Sequence, residues 1–94
     1  MRPLLPGDLD MGVRVLLAVP EPGRPRLAAQ LLREAETAHA HADALGIWHP
    51  HYGSGSLRSA AQAHTLAPLP PWCDRHYRAA LAVLLAACAA TDLP

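Results

Sequence analysis

The chain contains no phenylalanine, no lysine and a single isoleucine. Valine occurs four times, tryptophan and tyrosine twice each. Sheets are built from β-branched and aromatic residues, which pack well on a pleated surface, so this composition argues against a β fold. Cysteine appears only at 73 and 88, too few for a disulfide scaffold or a four-thiolate zinc site. Eight arginines supply every basic charge and eight acids balance them, which argues against a DNA-coating protein and against an acidic tail. The longest apolar run, residues 79–90, has twelve residues, short of the roughly 18 of a membrane span. The start, Met1-Arg2-Pro3-Leu4-Leu5-Pro6-Gly7-Asp8, has prolines and an acid where a signal peptide carries an apolar run. A cytoplasmic protein with reduced thiols and no membrane partner is expected.

What is present is alanine, 19 times, and leucine, 16 times, in 94 residues. Both lose little side-chain freedom in a helix. The expectation is one all-α domain over residues 1–94, a small bundle of about four helices, with residues 1–7 as an extended lead-in. A chain this short buries only about 60–65% of the surface its unfolded form exposes. Alanine adds little area per residue, so a partner that completes the core is a natural expectation.

The punctuation divides the chain. Asp8 is placed to cap a first helix over about 8–18, with Leu9, Val13, Leu16 and Leu17 on one stripe. Pro20, Pro22 and Pro25 fill the connection, and Pro25 suits the opening of a second helix over about 25–45. Leu27, Leu31, Ala35, Ala38, Ala42 and Leu45 form its narrow seam, and Gly46 its C-terminal cap. Ser56 caps a third helix over about 57–66, with Leu57, Ala60, Ala61 and His64 inward. After Pro68, Pro70 and Pro71, Asp74 or Cys73 opens a fourth over about 73–91, with Tyr77, Leu81, Leu84, Leu85 and Cys88 as its stripe. The second and fourth are longest and pack together; Leu27, Leu31, Leu81, Leu84 and Leu85 are the expected core.

Six histidines invite a metal reading. His39 and His41 point about 200° apart on a helix and cannot share an ion. His39 and Asp43 have the i, i+4 spacing, and a site would gather His49 and His51 with His64, Asp43 or Cys73. Zinc needs three or four tetrahedral ligands, and no spacing here matches a zinc signature. The favoured reading leaves His39 and His41 solvated and lets His49 order its loop through backbone hydrogen bonds. No metal and no cofactor are expected.

Residues 48–57, Trp-His-Pro-His-Tyr-Gly-Ser-Gly-Ser-Leu, read as a tight corner between two helices. Pro50 makes His49 extended, Gly53 and Gly55 admit positive φ, and Trp48 and Tyr52 pin the corner. A phosphate-binding loop is excluded by spacing and by the missing lysine. The His-Pro-x-x-Gly-x-Gly-Ser-Leu run at His49–Leu57, with Ala60 and Ala61 after it and Leu-Leu-Ala-Val-Pro at Leu16–Pro20, resembles a small uncharacterised all-helical family of alphaproteobacterial proteins. The resemblance implies no activity and carries over no functional residue.

Cys73, beside Arg75 and His76 near a helix start, has the surroundings that activate thiols, but four short helices leave little room for a catalytic pocket. Cys88 reads as a core residue. The expectation is a protein without enzymatic activity, an interaction or adaptor module that docks a protein partner or self-associates. Trp48, His49, Tyr52, Arg75 and Arg78 are its candidate binding residues. The alternative is a small nucleic-acid-associated accessory protein, such as a DNA-packaging or regulatory subunit, on a basic patch where Arg24, Arg26 and Arg33, Arg58, and Arg75 with Arg78 converge.

Overall fold

A computed structural model describes residues 2–92. The chain runs α1 (Pro6–Leu17), a 3-10 turn (Glu21–Gly23), α2 (Arg24–Leu45), α3 (Leu57–Ala61) and α4 (Arg75–Asp92). The described residues form no strand beyond one isolated bridge between His49 and Gly53. With 22 and 18 residues, α2 and α4 are the longest elements, and they share the most extensive helix–helix contact, while α1 packs on both α3 and α4.

The core selects one line from each helix. On α4 this is Tyr77, Ala80, Leu84 and Cys88, which meets Val13 and Leu16 of α1 and Leu31 and Leu32 of α2. The expected stripe is therefore rotated. Leu27 and Leu81 are only half-buried at the margin of the core, and Leu85 is 44% exposed. Leu85 is a correction: a helix that is apolar on several faces does not say which face its neighbours cover. Each leucine fully buried here contributes roughly 1.5–3 kcal/mol relative to exposure, and Leu16, Leu31, Leu32, Leu57 and Leu84 are the ones fully buried. A Cβ on Gly12 would stand 2.7 Å from Leu84 Cδ2, so α1 and α4 approach closely because that position is glycine.

Two boundaries differ from the sequence reading, and the Asp74 cap agrees with it. Helix α1 begins at Pro6, whose ring suits the first turn, and Leu5 is its cap. Asp8 is the third helical residue; its Oδ2 accepts the Leu5 N–H at 2.8 Å and its Oδ1 the Arg58 N–H at 2.9 Å. One buried carboxylate thus ties the starts of α1 and α3 together. Helix α3 closes at Ala61 rather than near 66. The next residues are drawn into other bonds: His64 Nε2 to Glu34 Oε1 at 2.6 Å, Ala67 N–H to the Arg14 carbonyl at 3.0 Å, and Arg14 Nε–H to the Ala67 carbonyl at 2.7 Å. Asp74 caps α4 through Oδ1, which accepts the His76 N–H at 2.7 Å. No helix among the described residues is long and apolar enough to cross a membrane.

Candidate functional site

The corner between α2 and α3 is built by short-range hydrogen bonds. Gly46 closes α2 with φ of 71° and donates to the Ala42 carbonyl. The His49 N–H donates to the Gly53 carbonyl at 2.9 Å and the Gly53 N–H to the His49 carbonyl at 3.1 Å. Inside that ring, His49 Nδ1 accepts the N–H groups of His51 at 3.0 Å and Tyr52 at 3.1 Å. An acceptor at Nδ1 means a neutral imidazole with its proton on Nε2. The imidazole stacks on Tyr52 with ring centroids 4.7 Å apart. It meets the rings of His41 at 5.0 Å and His51 at 5.8 Å. Partial loss of water around the ring, followed by the charges His41 and His51 would carry, holds the His49 pKa below its ordinary value of 6.5.

Neighbouring segments clamp the same loop. Gly53 and Gly55 have φ of 80° and 98°. A Cβ on Gly55 would stand 2.8 Å from His39 Cα, and one on Gly53 would stand 2.7 Å from Ser59 Cβ. Ser56 caps α3 by accepting the Ser59 N–H at 3.1 Å, and the hydroxyls of Ser54, Ser56 and Ser59 bond to one another. Arg2 donates to the Ser54 carbonyl at 2.8 Å through Nε, and its N–H to the Gly55 carbonyl.

The fixed loop displays its apolar side chains. Leu45, Ile47 and Trp48 are 63%, 62% and 68% exposed. Trp48 does not pin the corner, as the sequence reading has it; the His49–Tyr52 stack and the two glycines do that. Ile47 escapes the sequence reading, and Leu45, read there as an end of the packing seam, is a correction. Leu45 lies on the seam, but no residue of α2 after Ala38 is fully buried, and Asp43, Ala44 and Leu45 are exposed.

His39 and His41 are partly covered rather than solvated. Nε2 of His39 lies 3.4 Å from Asp43 Oδ2, and its buried Nδ1 finds no partner. His41 donates through Nδ1 to the Ile47 carbonyl at 3.2 Å. His64 is taken by Glu34, away from the corner, and no three His, Cys, Asp or Glu residues among those described are grouped to hold a metal ion. Cys73 is an exposed free thiol, and Cys88 is buried in the core.

Arg75 and Arg78 are exposed on the first turns of α4. Arg78 borders a separate apolar groove of about 400 Å³, with Trp72, Tyr77 and Leu81 facing Leu9 and Asp10. This groove shares no residue with the hollow beside His49. Trp48 and His49 therefore line one hollow, with Tyr52 stacked on His49, and Arg78 lines the other groove, which Arg75 does not. Trp72 is 64% exposed and stacks on Tyr77, whose hydroxyl donates to Asp10 Oδ1 at 2.8 Å.

The chain belongs to a family described as a domain of unknown function, DUF7742, whose model matches residues 2–88. No curated protein and no solved structure matches the chain.

Proposed function

We propose that this protein is a non-enzymatic interaction module of the alphaproteobacterial cytoplasm that inserts the Leu45–Ile47–Trp48 knob into an apolar, uncharged cleft of a partner protein. One observation carries the reading: the loop is held by paired backbone bonds, an imidazole acceptor and two close glycine contacts, yet its large apolar side chains face solvent. In a chain so short of core, burying Trp48 and Ile47 would add roughly 1.5–3 kcal/mol each to folding. Holding them rigidly outside instead reduces the ordering cost of docking, and tryptophan dominates interface energies out of proportion to its frequency. No Asp, Glu or Arg lies between Ala44 and Leu57, so the complementary surface is uncharged.

The test places a photoreactive side chain at position 48 and, as a control, at the exposed Leu85 in living cells. Support is a single defined protein adduct from position 48, absent from position 85 and lost on Ile47→Ser. The same adducts from both positions, or none, would remove the reading. Adducts only to a second copy of the chain would make the partner itself, which light scattering over a range of concentrations would also report.

The nucleic-acid reading draws less support. Arg2, Arg14 and Arg24 are spent on backbone carbonyls, and the other five arginines are divided among α2, α3 and α4, with only Arg75 and Arg78 close together on α4. Absence of DNA binding at low salt, where phosphate contacts are strongest, excludes that reading.

A further inference from the structure

We infer that His41, His49 and His51 make the corner a proton-operated clasp, which fixes the Trp48 knob when His49 is neutral and releases it when His49 is protonated. This rests on the docking reading for its purpose, but not for its mechanism.

Because His49 already carries a proton on Nε2, a second one can add only at Nδ1. That lone pair is the acceptor for the His51 and Tyr52 N–H groups. Protonation therefore removes both bonds in one event and sets a third N–H against two others. The turn they close is the one joining His49 to Gly53, and Trp48 is the residue immediately before it.

The surroundings oppose the new charge. From α2, His41 presents its ring edge at 5.0 Å; from the loop, His51 stands at 5.8 Å and Tyr52 stacks at 4.7 Å. From α3, Ser59 and Gln62 line the adjacent hollow, which contains no carboxylate. Arg2 brings a further cation to Ser54, and the nearby carboxylate of Asp43 faces His39. A protonated His49 then stands beside two further imidazoles, in a turn that has lost its internal acceptor. The low pKa of His49 is consistent with this, since the folded corner favours the neutral ring. The clasp is fully closed above the unfolded histidine value of about 6.5 and opens as pH falls through the lower folded value. Acidification then loosens the knob and places charge beside a face that docks on an uncharged cleft.

The experiment uses the full chain alone. Imidazole nitrogen NMR should show His49 as the Nε2–H form near about pH 7.5, and amide exchange of His51 and Tyr52, corrected for intrinsic rates, should lose about tenfold protection by about pH 5. The loss should follow the His49 titration while amides of Leu31 and Leu84 stay protected. In His49→Asn the side-chain carbonyl can replace Nδ1 as acceptor without titrating, so the protection should become independent of pH. The inference is overturned if His49 titrates in the wild-type chain without loss of the two amides, a result that needs no variant to fold. It is equally overturned if His49→Asn loses them with the same midpoint. Crosslinking from position 48 that persists unchanged at low pH would sink the clasp and leave docking intact, whereas an acid-sensitive corner with no crosslinked partner would do the reverse.

Discussion

His64 Nε2 lies 2.6 Å from Glu34 Oε1, joining residues thirty positions apart in a largely dry setting. Gln30 donates to the other carboxylate oxygen at 3.1 Å. The bond holds the segment after α3 against the middle of α2 and accounts for the early end of α3. His64→Ala leaves a buried carboxylate with one partner fewer and should lower stability by about 1.5–3 kcal/mol. Chemical denaturation measures it, and a double-mutant cycle with Glu34→Gln should show coupling between the pair.

Asp8 receives N–H groups from Leu5 and Arg58. Asp8→Ala leaves both part-buried N–H donors without their acceptor, at a cost of about 2–4 kcal/mol, summing two partly buried bonds to a charged acceptor. Asp8→Asn can accept only one of them well and should fall between. Thermal unfolding of the three proteins gives the order.

Gly55 has positive φ and no space for a Cβ against the backbone of His39. Gly55→Ala should lower stability by at least about 2 kcal/mol, combining backbone strain with a steric clash. The damage should centre on the corner, so amide exchange there should rise before exchange in α4. Gly46→Ala, which has positive φ but open space, should cost less, about 1 kcal/mol.

Tyr77 supplies an alkaline signature. Burial first, then the hydrogen bond and charge of Asp10, push its hydroxyl pKa up to about 12. The unfolded chain releases this proton near pH 10. Its contribution to stability is therefore complete below about pH 10 and is lost as pH rises toward 12. Tyr77→Phe should abolish that alkaline decline, and lose about 0.5–1.5 kcal/mol at neutral pH with the hydroxyl bond. Denaturation midpoints across the range test both parts.

The helices were legible in the sequence because their signals are local. Prolines and glycines set the joints, Ser56 and Asp74 cap as their residue types suggest, and alanine and leucine fill the spans. The corner was legible in part. Gly53 and Gly55 take the positive φ that their positions suggest, and His49 orders the loop through backbone N–H groups, since an imidazole just before a turn can reach the amides that follow it. The outward display of Ile47 and Trp48 was not legible. An apolar residue beside a glycine reads equally well as a buried pin or an exposed knob, and only the tertiary packing, which leaves Leu45, Ile47 and Trp48 uncovered, decides between them.

Composition alone determined that this protein is helical, because the residues that stabilise sheets are nearly missing and helix propensity sums over neighbouring residues. Tertiary structure decided which faces are buried, which histidines meet, and that Arg78 stands with Trp72 rather than with Trp48. Those outcomes depend on contacts between residues distant in the chain. The helical repeat leaves several faces of α4 almost equally apolar, so the choice among them lay with the neighbouring helices.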